Sequence, residues 1–340
     1  MASSEQLPPD FEPGYGTCTE VTPYCPVQAT IYGSFFNLPA MLFFSILYFL
    51  LLLAHLFFGI RYRTFTFSAW IVVSGLMEML GHVARAAMHF NPWPMGLLSL
   101  QICTLLWGPT LTAAGISISF KHMVHYCGAQ YCMLPPKLIP WVFVGTDIFS
   151  VFFQGSGGII ASVSSGDGDT TSGLARAGEV IMIAGVCFQV ANMIVCSVIM
   201  LMFWRKYRQS RKVGDVGGQR SKYSEDKRGD PSVRTKFTWF AGASSFAFGC
   251  VLIRCIYRVA EMAGGWANPI MRDEVSFIIL DSTMVALALT ALAAVHPGIF
   301  FPSLRKIQIE KDDHEAHVAQ AASEKHAGDS STDEQAHRPK

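Results

Sequence analysis

Hydrophobic positions along this chain gather into seven long, nearly unbroken runs: Phe36 to Ile60, Phe67 to Met88, Met95 to Phe120, Ile139 to Ala161, Leu174 to Trp204, Phe237 to Met262 and Val275 to Phe301. A helix needs about 20 mostly apolar residues to cross the hydrocarbon core. Barrel strands need only roughly 10 and alternate in polarity. The runs are too long and continuous for strands, so the predicted fold class is all-α, a polytopic membrane protein with seven transmembrane helices. The second, fourth and sixth runs read as the least apolar, because each holds charged or amide side chains. The fifth is longer than needed and is expected to tilt or to project from the bilayer.

The polar stretches between the runs alternate in charge. Arg61 and Arg63 fill the first connection, Lys121 and Lys137 the third, and a dense basic series from Arg205 to Lys236 the fifth. The second and fourth connections have no Lys or Arg, and the sixth has only Arg272. Basic connections stay in the cytosol, which predicts an external N-terminus and a cytosolic C-terminus. The expected organisation is a short external tail over residues 1–35, a seven-helix domain over 36–302 that includes the basic cytosolic loop 205–236, and a disordered cytosolic tail over 303–340. The first helix acts as its own targeting signal, since its flank is acidic and lacks a basic n-region.

Composition agrees with this reading and narrows the function. Of 340 residues 51% are hydrophobic and only 15% charged, against about 25% charged in soluble domains. That excludes a soluble enzyme, a disulfide scaffold and a disordered chain. A net charge of +1 argues against a nucleic-acid partner, which calls for a strongly basic domain. Cys18 and Cys25 fall in the external tail, where oxidation is permitted, and form the candidate disulfide; the other reading is two free thiols. Cys103, Cys187, Cys196, Cys250 and Cys255 read as small packing residues. Trp70, Trp93, Trp141, Trp204, Trp239 and Trp266 fall near helix ends, as an interfacial belt would place them. No CxxC pair and no clustered histidines support a metal site, and no GxxxxGK[ST] supports a nucleotide cofactor.

Ionisable residues inside the runs carry the chemistry: Glu78, Arg85, Asp147, Glu179, Arg254, Arg258, Glu261 and Asp281. Left unpaired, the eight would cost roughly 24 kcal/mol on insertion scales, so they must find partners or mark function. Glu78, His82 and Arg85 lie at i, i+4 and i+7 and share a helix face, as do Arg254, Arg258 and Glu261. Helix direction then sorts them by depth. Arg85, Arg258, Glu261 and Asp281 form a candidate interhelical ion network towards the outer side. Glu78, Gln101, Asp147, Gln154, Gln189 and Arg254 form a candidate substrate pathway. For both groups the competing reading is simple glue between helices. Pro109 either frees a carbonyl for a ligand or merely bends the third helix. Glycines at 155, 157 and 158, and the pairs Gly178/Gly185 and Gly242/Gly249, read as sites of close helix approach.

The ordered set of these residues resembles the fungal RTA-like proteins, the lipid-translocating exporter family named for resistance to aminocholesterol. The resemblance rests on Glu78-x-x-Gly81-x-x-x-Arg85, Gln101 with Pro109 and Ala113-Ala114, Asp147 with Gln154 and Gly157-Gly158, and Gly185 with Gln189. It continues through Arg254-x-Ile256-Tyr257-Arg258-x-x-Glu261, Gly264, Glu274, Asp281 and His296-Pro297-Gly298. Ser117 and Ile278 depart from it, standing where the family usually has tyrosines. The resemblance implies a plasma-membrane protein, not an enzyme, that moves amphiphiles such as sphingoid long-chain bases, sterol-like compounds or other toxic lipids; some relatives are tied to porphyrin uptake. The alternative is a heptahelical sensor controlling lipid or drug response without transporting. Against a receptor, Asp-Arg-Tyr after the third run and Asn-Pro-x-x-Tyr in the seventh are missing. A retinal protein would need a lysine inside a helix, and an intramembrane metal hydrolase would need His55, His82, His89 and His296 at one depth.

Overall fold

The computed structural model describes residues 13–127, 138–166, 173–212, 231–265 and 267–300. Most of the basic loop (213–230), the tail from residue 301, Lys137 and Trp266 lie outside these described residues. Six long helices come first: α1 (Leu38–Tyr62), α2 (Phe65–Met88), α3 (Met95–Cys127), α4 (Leu138–Gly166), α5 (Gly173–Lys212) and α6 (Pro231–Ala263). The short turns α7 (Pro269–Arg272) and α8 (Glu274–Ser276) lead into a π-helical segment, Phe277–Thr283, and then α9 (Met284–Ala294) and α10 (Pro297–Phe300). Among the described residues seven helical spans are long and apolar enough to cross a membrane, the seventh running Glu274–Phe300.

The span ends fall within about two residues of the sequence limits except at two C-termini. The third span runs on to Val124 and the fifth to Gln209, because both helices continue past their apolar stretch. One expectation is corrected: the third span is less apolar than the second and the sixth. Its Gln, Thr, Ser and Gly residues lower it as effectively as single charges lower the others, and most of them are buried.

The bundle turns its apolar surface outward. On α1, Phe43, Ile46, Phe49, Leu50, Phe57 and Ile60 are exposed, while Tyr48 and His55 are buried. Outside water, burying apolar groups does not drive helices together. Small residues, close contact and polar pairs do that work. α1 packs on α2, α2 on α3 and α4 on α5, with α6 against α9 and α3 reaching both α4 and α6. At the α4–α5 crossing a Cβ on Gly157 would lie 2.6 Å from both the Gly178 carbonyl and the Met182 nitrogen. Gly242 and Gly249, expected to serve a similar contact, have nothing among the described residues within 4 Å of a would-be Cβ. Cys103 and Cys187 are exposed rather than packed inside, whereas Cys196, Cys250 and Cys255 are buried.

Residues 13–37 lie across one end of the bundle as a lid. Cys18 and Cys25 are bonded, with Cα atoms 5.9 Å apart. Trp93, 1% exposed, packs against that bond and donates its indole N–H to the Cys25 carbonyl at 3.3 Å. Trp93 is thus the core of the lid and no member of an interfacial belt, because the lid covers it. Tyr15 meets it edge-on at 5.4 Å and accepts from the Ile31 amide. Burial pushes the Tyr15 phenol up to about 12, so its hydroxyl keeps its proton at neutral pH. The lid is tied to the helices by Asn91 donating to Thr19, by His89 Nδ1 at 2.5 Å from the Phe36 carbonyl, and by the Asn37 amide donating to Glu274.

The seven-residue separation of Cys18 and Cys25 closes a loop worth about 2–3 kcal/mol in the chain-entropy account. Hydrogen exchange should therefore quicken over residues 13–37 in Cys18→Ser, or under reductant, while α1 to α6 keep their protection. Unchanged exchange in the lid would mean the bond does not hold it.

Candidate functional site

The seventh span supplies the centre of the site through a local departure from α-helix. In the Phe277–Thr283 π-helical turn the Thr283 hydroxyl donates to the Ile278 carbonyl at 2.7 Å, five residues back. The widened turn buries Phe277, Asp281 and Ser282 together. Asp281 Oδ1 lies 2.9 Å from Arg254 Nε and 3.1 Å from Arg258 Nε. Arg258 Nη1 also donates to Glu261 Oε2 at 2.7 Å, one turn further along α6. All four residues are at most 5% exposed.

This placement revises two assignments. Arg254, grouped above with the pathway, is part of the ion network. Its other anchor explains Pro109, which has no N–H for the carbonyl four residues earlier. That carbonyl belongs to Leu105, and Arg254 Nη2 donates to it. The freed carbonyl therefore goes to a neighbouring helix.

Arg85, expected in the network, faces rings instead. Its guanidinium carbon lies 3.6 Å from the centroid of Phe277, 4.4 Å from Phe36 and 5.0 Å from Tyr32. The reason is that Arg258 and Arg254 already engage Glu261 and Asp281. Cation–π contacts return about 2 kcal/mol when desolvated, less than the several kcal/mol that burying a guanidinium costs. Arg85 Nε and Arg258 Nη2 are both buried without a hydrogen-bond partner among the described residues.

Glu78 sits deeper, 0% exposed, with neither carboxylate oxygen hydrogen-bonded among the described residues. It lies flat against α3: a Cβ on Gly108 would come 2.8 Å from its carboxylate carbon. Ser74, one turn earlier on α2, donates to the Gly108 carbonyl at 2.6 Å and pairs with Thr112. His82 bridges Glu78 and the π turn, with Nδ1 2.8 Å from the Glu78 carbonyl and Nε2 2.9 Å from Ser282 Oγ. Tyr48 donates to the Ser282 carbonyl at 2.7 Å.

The remaining pathway residues are hydrogen-bonded in three separate groups, none of which includes the Glu78 side chain. Gln154 donates to Gln189 at 3.0 Å, and Gln189 to the Thr110 hydroxyl at 2.8 Å, making an amide chain across α4, α5 and α3. Asp147 accepts from Asn192 at 2.7 Å between α4 and α5. Gln101 donates to the Tyr32 hydroxyl at 2.7 Å, under the lid. His296, at the opposite end from the lid, is ringed by Phe58, Tyr62 and Phe67. Sequence reasoning missed Asn192, Thr110, Tyr32 and Ser282. For Asn192 a signal existed, since it follows Gln189 by three residues on one helix.

Among the described residues no group of three or more His, Cys, Asp and Glu is placed to hold a metal. What remains is a buried, charge-rich interior in which both Glu78 oxygens, Asp281 Oδ2, Arg85 Nε, Arg254 Nε and Arg258 Nη2 have no hydrogen-bond partner among the described residues, inside a wall of apolar side chains.

Residues 71–304 match the profile of a family described as RTA1 like protein. The chain is 28% identical over 256 residues to the sphingoid long-chain base transporter RSB1 of Saccharomyces cerevisiae, covering 70% of this chain and 66%, just under two thirds, of the relative. It is 26% identical to the protoporphyrin uptake protein 1 of the same yeast, covering 66% of each chain. A similar match, also 26% identical, covers 66% of this chain and 65% of Protein RTM1. No solved structure matches it.

Proposed function

The chain belongs to the RTA1-like family, and from that premise we propose that it moves cationic amphiphiles, sphingoid long-chain bases among them, across the plasma membrane without enzymatic chemistry. The observation that carries this reading is the Glu78 carboxylate, buried and without a hydrogen-bond partner among the described residues. A carboxylate in that state is a strong acceptor, and an ammonium group answers it with a charge-assisted hydrogen bond. The amphiphile's amine would engage Glu78 while its tail stays in lipid, beside helix faces that are already apolar. Asp147, in its own niche with Asn192, offers a second acid at which the amine can pause. In this reading the N-terminus and the lid face outward and the C-terminus is cytosolic, following the basic connections. The membrane gradient or proton exchange supplies the drive. The similarity to a relative named as a long-chain base transporter supports the substrate class.

The test is transbilayer movement of a fluorescent sphingoid base in liposomes holding the purified protein, beside a Glu78→Gln/Asp147→Asn variant. Loss of a charge-assisted hydrogen bond should slow movement by about tenfold or more. Both replacements keep side-chain shape, so gel filtration can verify that the variant is folded. Wild-type movement no faster than empty liposomes would sink the transporter reading and favour a sensor that acts through another protein.

A further inference from the structure

We infer that Arg85 and Arg258 form a binding site for the phosphate or carboxylate of an amphiphile, beneath the lid and separate from Glu78. This deepens the reading above, and rests on it only for the premise that amphiphiles enter the bundle.

Three guanidinium groups converge on the Phe277–Thr283 turn, but among the described residues the carboxylates bonded to them are two, Asp281 and Glu261. Arg254 is held by Asp281 and the Leu105 carbonyl. Arg258 keeps Nη2 unused, and Arg85 keeps Nε unused, each in a side chain at least nine-tenths buried. Both guanidinium groups lie against one ring, Phe277, at 3.6 and 5.9 Å. Two guanidinium groups, each with a donor that has no partner among the described residues, therefore stand beside one side chain. An oxyanion accepts from two such donors at once, in the geometry a guanidinium fork is built for. Ring faces hold Arg85 in the meantime, and a charged oxygen is the stronger partner for it.

The surroundings choose an amphiphile over a free ion. Tyr32, Phe36 and Phe277 enclose Arg85, and the first two belong to the lid, so a ligand that lifts the lid must replace apolar contacts as well as charge. Glu261 also lies within electrostatic reach of Arg85. It is already committed to Arg258, and its repulsion disfavours a small, highly charged anion without an apolar body.

Binding by the purified full chain in an uncharged maltoside detergent tests this without requiring movement. The probes are fluorescent lysophosphatidate and the monoacylglycerol of the same chain, which differ only in the phosphate. At high salt, where exposed basic residues are screened, wild type should bind the phosphate probe about tenfold more tightly. Arg85→Gln should abolish that preference and leave monoacylglycerol binding in place. Arg85→Lys, which keeps the charge and loses the fork, should fall between. Equal binding of the two probes by wild type overturns the inference, and that arm does not depend on any variant folding. A preference that survives Arg85→Gln overturns it too, as does inorganic phosphate alone displacing the lysophosphatidate. Wild-type movement no faster than empty liposomes, with the phosphate preference intact, would defeat the transport reading and leave this site standing.

Discussion

Asp281→Ala is expected to lower the unfolding free energy of the bundle by about 3–5 kcal/mol, the cost of stranding a buried charge. Two charges lose a partner here, since Arg254 and Arg258 both lie within 3.1 Å of the same Asp281 oxygen. Arg258 retains Glu261 at 2.7 Å, whereas Arg254 keeps, among the described residues, only the Leu105 carbonyl. Most of the loss should therefore come from Arg254. The double variant Asp281→Leu/Arg254→Met checks this, because it removes one charge of each sign and leaves Arg258 paired with Glu261. It should recover a large part of the stability, as apolar replacement of buried pairs often does. Unfolding followed by denaturing-detergent titration in mixed micelles measures both. An Asp281→Ala protein as stable as wild type would show that the network contributes no stability and is kept for function alone.

Gly157→Val should cost about 3 kcal/mol, the upper part of the range for overpacking. The obstacle is backbone: the Gly178 carbonyl and the Met182 nitrogen both stand 2.6 Å from where Cβ would sit. A side chain can rotate away from an intruding methyl, but a helix backbone has to move as a whole. Here it would part α4 from α5 and with them the Gln154–Gln189 and Asp147–Asn192 bonds. Gly155→Ala is the control, since nothing lies within 4 Å of its would-be Cβ. That change should be neutral or slightly stabilising, because alanine is the better helix former. Equal stability of the two variants in the same titration would mean the helices are not in contact at Gly157.

Much of the candidate site was legible because a charge inside an apolar run must turn inward. The i, i+4, i+7 spacing of Glu78, His82 and Arg85 placed all three on one face, and all three are at most 1% exposed. Partners were harder. Arg85 and Arg254 exchanged groups in the structure, one leaving the carboxylates for three rings and the other joining them. Spacing along a helix reports which residues share a face and is silent on which residue of another helix stands opposite. The π turn was hidden for a related reason: nothing in Phe-Ile-Ile-Leu-Asp-Ser-Thr departs from an ordinary α-helical run, and its register follows from what its buried residues meet.

The division between chain and fold comes from two kinds of physics. Apolar length and the placement of charge are properties of the chain alone, because the hydrocarbon core admits only backbones that satisfy themselves. They were enough to set seven helices, all but two of their limits to within about two residues, and most of the inward-facing set. Everything that depends on two segments meeting waited for the tertiary structure: the Leu105 carbonyl released by Pro109 and taken by Arg254, the carboxylate of Glu78 laid on Gly108, and the lid centred on Trp93 and the Cys18–Cys25 bond. A buried polar atom takes whichever partner packing brings within about 3 Å, and that choice is made between helices, beyond the reach of any pattern along one of them.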